Sequence, residues 1–91
     1  ALIQLTRSMA VEWARHDIRV NAIAPGYFRT EMANDFLDSE AGERMIARAP
    51  MRRTGSPHEL EGAVLLLASA AGDYMTGSVV TVDGGLSIPQ I

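Results

Sequence analysis

Only two stretches of this chain carry a strand pattern, and more than fifty residues separate them. The first, Ile18-Arg19-Val20-Asn21-Ala22-Ile23-Ala24, places Ile18, Val20, Ala22 and Ala24 on one face and Ile23 on the other. The second, Ser78-Val79-Val80-Thr81-Val82-Asp83, is rich in β-branched residues and closes on Gly84-Gly85. A strand apolar on both faces suits a parallel sheet covered by helices on both sides. Two such strands alone leave backbone edges unpaired and apolar faces bare, so further strands are expected from upstream sequence or a partner chain. The expected class is therefore α/β, with a parallel sheet that is incomplete on its own.

The first run stops at Pro25-Gly26. Proline lacks the donor that a continuing central strand needs, and glycine permits a positive φ, so a sharp turn is expected there. In open α/β sheets ligands bind beyond the carboxyl ends of the strands, which makes Pro25-Gly26-Tyr27-Phe28-Arg29-Thr30 the expected ligand-facing loop. Asn21 is a polar residue inside a buried strand, and its amide is expected to hydrogen-bond neighbouring backbone.

About four helices fill the rest. Residues 1–15 place Leu2, Leu5, Met9 and Trp13 near one face, with Ile3, Ala10 and Ala14 as a second apolar strip. A helix with two apolar sides requires two partners. Between Thr30 and Pro50 the pattern fits two short helices, Glu31 to Leu37 and a second capped at Asp38-Ser39 and running to about Ala49; an irregular connection fits equally well. Ser56-Pro57-His58-Glu59 carries an N-cap serine, proline at the first helical position and a capping-box glutamate, opening a helix over 56–71 that Gly72 ends. The apolar tail with Leu86, Ile88 and Ile91 is expected to dock on a neighbouring subunit.

Composition removes several functions. The 91 residues contain no cysteine, which excludes disulfides, thiol catalysis and cysteine zinc sites, and the two histidines lack metal-ligand spacing, so no metal site is expected. A net charge of −3 with no basic patch argues against nucleic acid. No apolar run reaches membrane-spanning length and no signal-peptide pattern occurs, so a cytoplasmic protein without membrane contact is expected. All eight basic residues are arginine; there is no lysine.

Four linked blocks resemble the classical short-chain dehydrogenase/reductase family in order and spacing. They are Asn21 to Met32 with its Asn, Pro-Gly, Thr and Met; Pro50 to Leu60; Leu65-Leu66-Leu67-Ala68-Ser69 with Tyr74-Met75-Thr76-Gly77; and Val82-Asp83-Gly84-Gly85. The resemblance covers nearly the whole chain and implies the C-terminal portion (1–91) of a single Rossmann-like, doubly wound domain. It further implies an NAD(P)-dependent oxidoreductase that moves hydride between a nicotinamide cofactor, NAD or NADP, and a small-molecule alcohol/ketone substrate.

By the same resemblance, Pro25, Gly26, Tyr27 and Phe28 line the nicotinamide end of the cofactor site. The backbone at Phe28 meets the carboxamide, and the Thr30 hydroxyl bonds the carboxamide or pyrophosphate. Segment 31–49 is the substrate lid, and 1–15 is an interface helix. Residues 56–71 and the last strand, 78–83, belong to a second interface, implying a homo-oligomer, dimer or tetramer. The family's glycine-rich phosphate loop is absent, as is its Tyr-x-x-x-Lys pair: Tyr27 and Tyr74 have no lysine four residues on. Hence no catalytic residue is assigned, and the 91 residues alone are expected to be inactive without the missing N-terminal portion. The alternative is a non-catalytic remnant serving as an oligomerisation or interaction module.

Overall fold

The computed structural model describes residues 1–89. Its elements run α1 (Leu2–Trp13), β1 (Ala22–Pro25), α2 (Glu31–Leu37), α3 (Glu40–Ile46), α4 (Glu61–Ala68) and β2 (Val79–Val82), with single 3₁₀ turns at Ala14–His16, Pro57–Leu60 and Ala70–Gly72. Ala22 N–H donates to Ser78 O at 2.9 Å and Gly26 N–H to Val82 O at 3.0 Å, so both strands advance in the same direction and the pairing is parallel. Among the described residues this is the expected α/β class: four α-helices and a two-stranded, incomplete parallel sheet.

The chain divides into two compact units. The first comprises Ala1–Ala24 and Glu61–Thr81. In it the segment before β1 is fastened by side chains. The Arg19 guanidinium donates to Leu67 O at 2.9 Å, near the end of α4, and to Gly72 O at 2.7 Å, a carbonyl that also accepts from Met75 N–H. Asn21 donates from Nδ2 to Met75 O and accepts at Oδ1 from Ser78 N–H, both at 3.0 Å, the backbone role expected of it. Val20 N–H donates to the Thr76 hydroxyl at 3.0 Å, and Val20 O accepts from Gly77 N–H at 2.7 Å. Residues 18–20 are thus held by a loop, and β1 starts at Ala22 instead of Ile18.

Pro25 is the last residue of β1 rather than the stop beyond it. Ala22 and Gly26 donate toward β2, so the donor that proline lacks falls on the opposite edge, where no ladder bond is lost. The helix expected over 56–71 is broken into the two 3₁₀ turns and α4.

The second unit holds Pro25–Leu60 and the chain from Val82 onward. Here α2 and α3 form a tight helical hairpin. The Thr30 hydroxyl caps α2 by accepting from Ala33 N–H at 3.2 Å, and the Ser39 hydroxyl caps α3 by accepting from Gly42 N–H at 3.1 Å while donating to Phe36 O. Gly42 is buried where a Cβ would run into the Phe36 and Leu37 backbone.

Little of the apolar surface is covered. Among the described residues, buried apolar side chains are limited to Ala10, Leu37 and Ala49, while Leu2, Leu5, Val11, Leu65 and Met32 stand open to solvent. The accessible surface is 6757 Å², where about 5,200 Å² is usual for a folded monomer of this mass. Both apolar strips of α1 are largely bare: only Thr6 and Ala10 of that helix are buried. Ile91, part of the apolar tail, lies outside the described residues, and Ile88 is 60% exposed. No described helix is long and apolar enough to cross a membrane.

Candidate functional site

The loop after β1 is shaped by two close approaches. A Cβ on Gly26 would lie 2.8 Å from both Cα and Cβ of Asp83, inside van der Waals contact. Gly26 does not take a positive φ, so the expected reason for a glycine is replaced by a steric one. One turn further, Phe28 forms an isolated parallel bridge with Gly55. Gly55 N–H donates to Tyr27 O at 2.8 Å and Gly55 O accepts from Arg29 N–H at 3.1 Å. A Cβ on Gly55 would enter the Phe28 ring, so the ring lies directly on the Gly55 backbone.

That bridge decides which backbone groups remain available. The bonds to Gly55 use the carbonyl before Phe28 and the N–H after it, so Phe28's own N–H and C=O project to the opposite edge. Among the described residues neither has a partner. Thr30 is exposed; its oxygen accepts from Ala33 N–H, which leaves the hydroxyl proton to donate elsewhere.

Tyr27 and Phe28 line a cavity of about 180 Å³ together with Met51, Gly55, Glu59 and Asp83. Pro25, Gly26 and Thr30 are not on its wall. Of the five residues singled out in sequence, two therefore meet at this cavity, one packs on Asp83 beside it, and the other two are exposed on the loop.

Several residues to which the sequence reading gave no part in the site complete the surroundings. The Arg53 guanidinium grips Glu59 through two bonds, of 2.8 and 3.0 Å, and Glu59 also accepts from Ser56 N–H at 2.9 Å. The Arg53 bond, followed by the Ser56 N–H, lowers the Glu59 carboxyl from its ordinary 4.5 to about 2. Asp83 accepts from the N–H groups of Gly85 and Ser87, both at 2.9 Å. Hydrogen bonding from Ser87, then from the turn backbone, holds Asp83 below the usual carboxylate range. The Asp-Gly-Gly run was the available signal, since Gly84 and Gly85 both adopt positive φ in the turn that Asp83 organises. Arg53 gave none: its partner stands six residues on, outside the helical i,i+4 spacing.

Arg29 is the other unforeseen residue. Its Nε donates to the Thr54 hydroxyl at 3.3 Å and its Nη1 to Asp38 Oδ1 at 2.7 Å. In α2, Asn34 Oδ1 is buried without a hydrogen-bond partner among the described residues, an open acceptor beside the hairpin's packed face. No cluster of metal-ligating side chains occurs among the described residues. The arrangement can offer a backbone donor–acceptor edge, a hydroxyl and aromatic surface.

Comparison with known proteins places the chain. A family model described as enoyl-(acyl carrier protein) reductase matches residues 1–87. The chain is 47% identical over 89 residues to a 5-keto-D-gluconate 5-reductase of Escherichia coli, covering 97% of this chain and 35% of that protein. It is similar in structure to a short-chain type dehydrogenase/reductase from Mycobacterium marinum, with a TM-score of 0.87 and 48% identity over 98% of this chain and 34% of that one. It is also similar to a gluconate 5-dehydrogenase from Burkholderia cenocepacia in complex with NADP and tartrate, with a TM-score of 0.90 and 42% identity over 99% of this chain and 36% of that one. The chain thus spans about 35% of the length of the relatives it matches. On the match to residues 1–87 and these likenesses, the chain belongs to the short-chain dehydrogenase/reductase family.

Proposed function

We propose that this chain forms the nicotinamide-side wall of an NAD(P) site in an oxidoreductase that transfers a hydride between the cofactor and an alcohol/ketone substrate. The observation that carries the reading is the unpartnered N–H and C=O of Phe28, turned away from Gly55 at the end of a strand. A primary carboxamide has one acceptor and two donors, so it pairs with such an edge in both directions. Pro25, Gly26, Tyr27 and Phe28 form this wall, and the Thr30 hydroxyl donates to a carboxamide or pyrophosphate oxygen. When bound, the nicotinamide supplies the hydride chemistry. This chain's own part is to bind and orient the ring and, through Tyr27 and Phe28, to keep water from one side of it.

The hairpin α2–α3 within segment 31–49 is the lid over the substrate, with Phe36 and Met32 as exposed apolar side chains suited to that task. Relatives named for 5-keto-D-gluconate support a small polyhydroxy ketone as substrate, and relatives solved with NADP or with NADH support either nicotinamide cofactor. The sequence has neither a glycine-rich phosphate loop nor a lysine. Phosphate binding and proton transfer are therefore assigned to residues outside this chain, and the 91 residues alone neither hold NAD(P)H tightly nor reduce a ketone. The bare apolar strips of α1, and of α4 with Leu65 64% exposed, support the interface roles of 1–15 and 56–71, in a dimer or tetramer.

The test is Thr30→Ala in the full-length oxidoreductase, with NADH and NADPH titrated by fluorescence. Losing one hydrogen bond raises the cofactor Kd by about five- to tenfold. Because alanine also removes the cap of α2, Thr30→Ser is the control, and it keeps a Kd near the wild-type value. An unchanged Kd in Thr30→Ala would count against the loop assignment. The second reading, a non-catalytic interaction module, shares the observation of bare helix faces. Intact mass spectrometry separates the two: a free 9.8 kDa chain without companion sequence favours the module.

A further inference from the structure

We infer that Arg29 is a positioning residue that latches the α2–α3 hairpin onto the loop after β1. The inference rests on the lid reading given above and concerns a residue that reading leaves without a task. Arg29 lies between Phe28 and Thr30, and its three bonds join two segments, Thr54-Gly55 and the α2–α3 corner, to the loop. Its backbone N–H meets Gly55, its Nε meets the Thr54 hydroxyl, and its Nη1 meets Asp38.

Asp38 is the residue on which the hairpin turns. It is the C-cap of α2, its N–H bonded back to Asn34 O; Ser39 immediately after it donates its N–H to Phe36 O and caps α3 with its hydroxyl. A pull on Asp38 thus acts on both helices, which meet closely at Gly42, where a Cβ would run into the Phe36 and Leu37 backbone. The other end of the latch is equally firm. Arg29's backbone is fixed by the Phe28–Gly55 bridge, and its Nε is steered by Thr54, so the guanidinium is aimed before Asp38 arrives.

The strength of the pair suits a latch rather than a strut. The Arg29 and Asp38 side chains are 37% and 69% exposed, and a surface ion pair of this kind biases an equilibrium by only about two- to fivefold. The pair therefore favours the docked hairpin without locking it. A buried pair at the same place would fix the hairpin shut.

The experiment uses full-length protein and amide hydrogen exchange over residues 31–46, with NADPH and NADH binding measured in parallel. Asp38→Asn removes the charge and leaves the helix cap, and it is expected to raise exchange across 31–46 by about two- to fivefold. Asp38→Glu restores protection, and so does the exchanged pair Arg29→Asp with Asp38→Arg. In the wild type, 0.5 M NaCl reproduces the Asp38→Asn pattern, as screening requires. Exchange in Asp38→Asn equal to wild type, or an exchanged pair no better than either single variant, would overturn the latch. Failure of the wild type to bind either cofactor would instead defeat the proposed function, while the exchange comparison would still decide the latch.

Discussion

Asn21 offers the sharpest test of how this fold is held. Its amide closes two bonds, to Met75 O and from Ser78 N–H, each 3.0 Å long and partly buried. Asn21→Ala removes both and leaves a carbonyl and an N–H facing a gap. A buried group left unpaired costs about 1–3 kcal/mol, and partial access of water puts each group near the lower half of that range. The variant is thus expected to lose about 2–4 kcal/mol in all. With a urea m-value of about 2 kcal/mol/M, the midpoint falls by roughly 1–2 M. Asn21→Asp keeps the acceptor for Ser78 and loses the donor for Met75, so its loss should be close to half. Urea unfolding followed by circular dichroism gives the free energies, and hydrogen exchange at Ser78 gives the local readout. Exchange there should accelerate in Asn21→Ala and stay protected in Asn21→Asp. A loss below about 0.5 kcal/mol in the alanine variant, within the range of a bland surface change, would refute the reasoning.

Two further expectations follow from the second unit. Glu59 has its folded-state pKa depressed from 4.5 to about 2 by Arg53 and Ser56, so its contribution to stability is present above pH 4.5 and disappears as pH falls through 2. The stability difference between wild type and Glu59→Gln should shrink across that window, and a difference that stays constant from pH 6 to about 2 would contradict the pairing. Gly26→Ala places a methyl 2.8 Å from Asp83 Cα; the overpacking should lower stability by about 1–3 kcal/mol in thermal unfolding. A neutral Gly26→Ala would show that the two segments do not approach so closely.

The parts legible in sequence were those where a residue's chemistry conflicts with its surroundings. Asn21 stood out because a polar side chain in an apolar run needs backbone partners, and it has them. Ser39 and Glu59 announced helix starts through capping chemistry, and both make the bonds expected: Ser39 to Gly42 N–H and Glu59 to Ser56 N–H. Arginines were illegible. Arg19, Arg29 and Arg53 look like surface charge in a linear reading, yet each reaches partners set by tertiary approach, at separations from six to 56 residues. Strand limits failed for the same reason. Ile18 to Val20 have strand composition, but Ile18 N–H bonds back to Trp13 O and the loop at Thr76-Gly77 takes the backbone bonds of Val20, so the ladder starts later. At the candidate site the sequence indicated the loop, while the role of Gly26 depended on Asp83, far along the chain, and could not be read locally.

The parallel pairing of β1 with β2 also sets an order of events. Asn21 and Ser78 meet across 57 positions, and closing a loop of that size costs about 3.5 kcal/mol of chain entropy before any ladder bond forms. The α2–α3 hairpin needs only local contacts and has no such delay. In pulse-labelled refolding the amides of Asp38 and Glu43 should gain protection first, with Ala22 protected later; simultaneous protection would contradict this order. Until that closure the β1 edge that will face β2 is an unpaired template, and the pairing ends the interval in which a second chain could add to that edge.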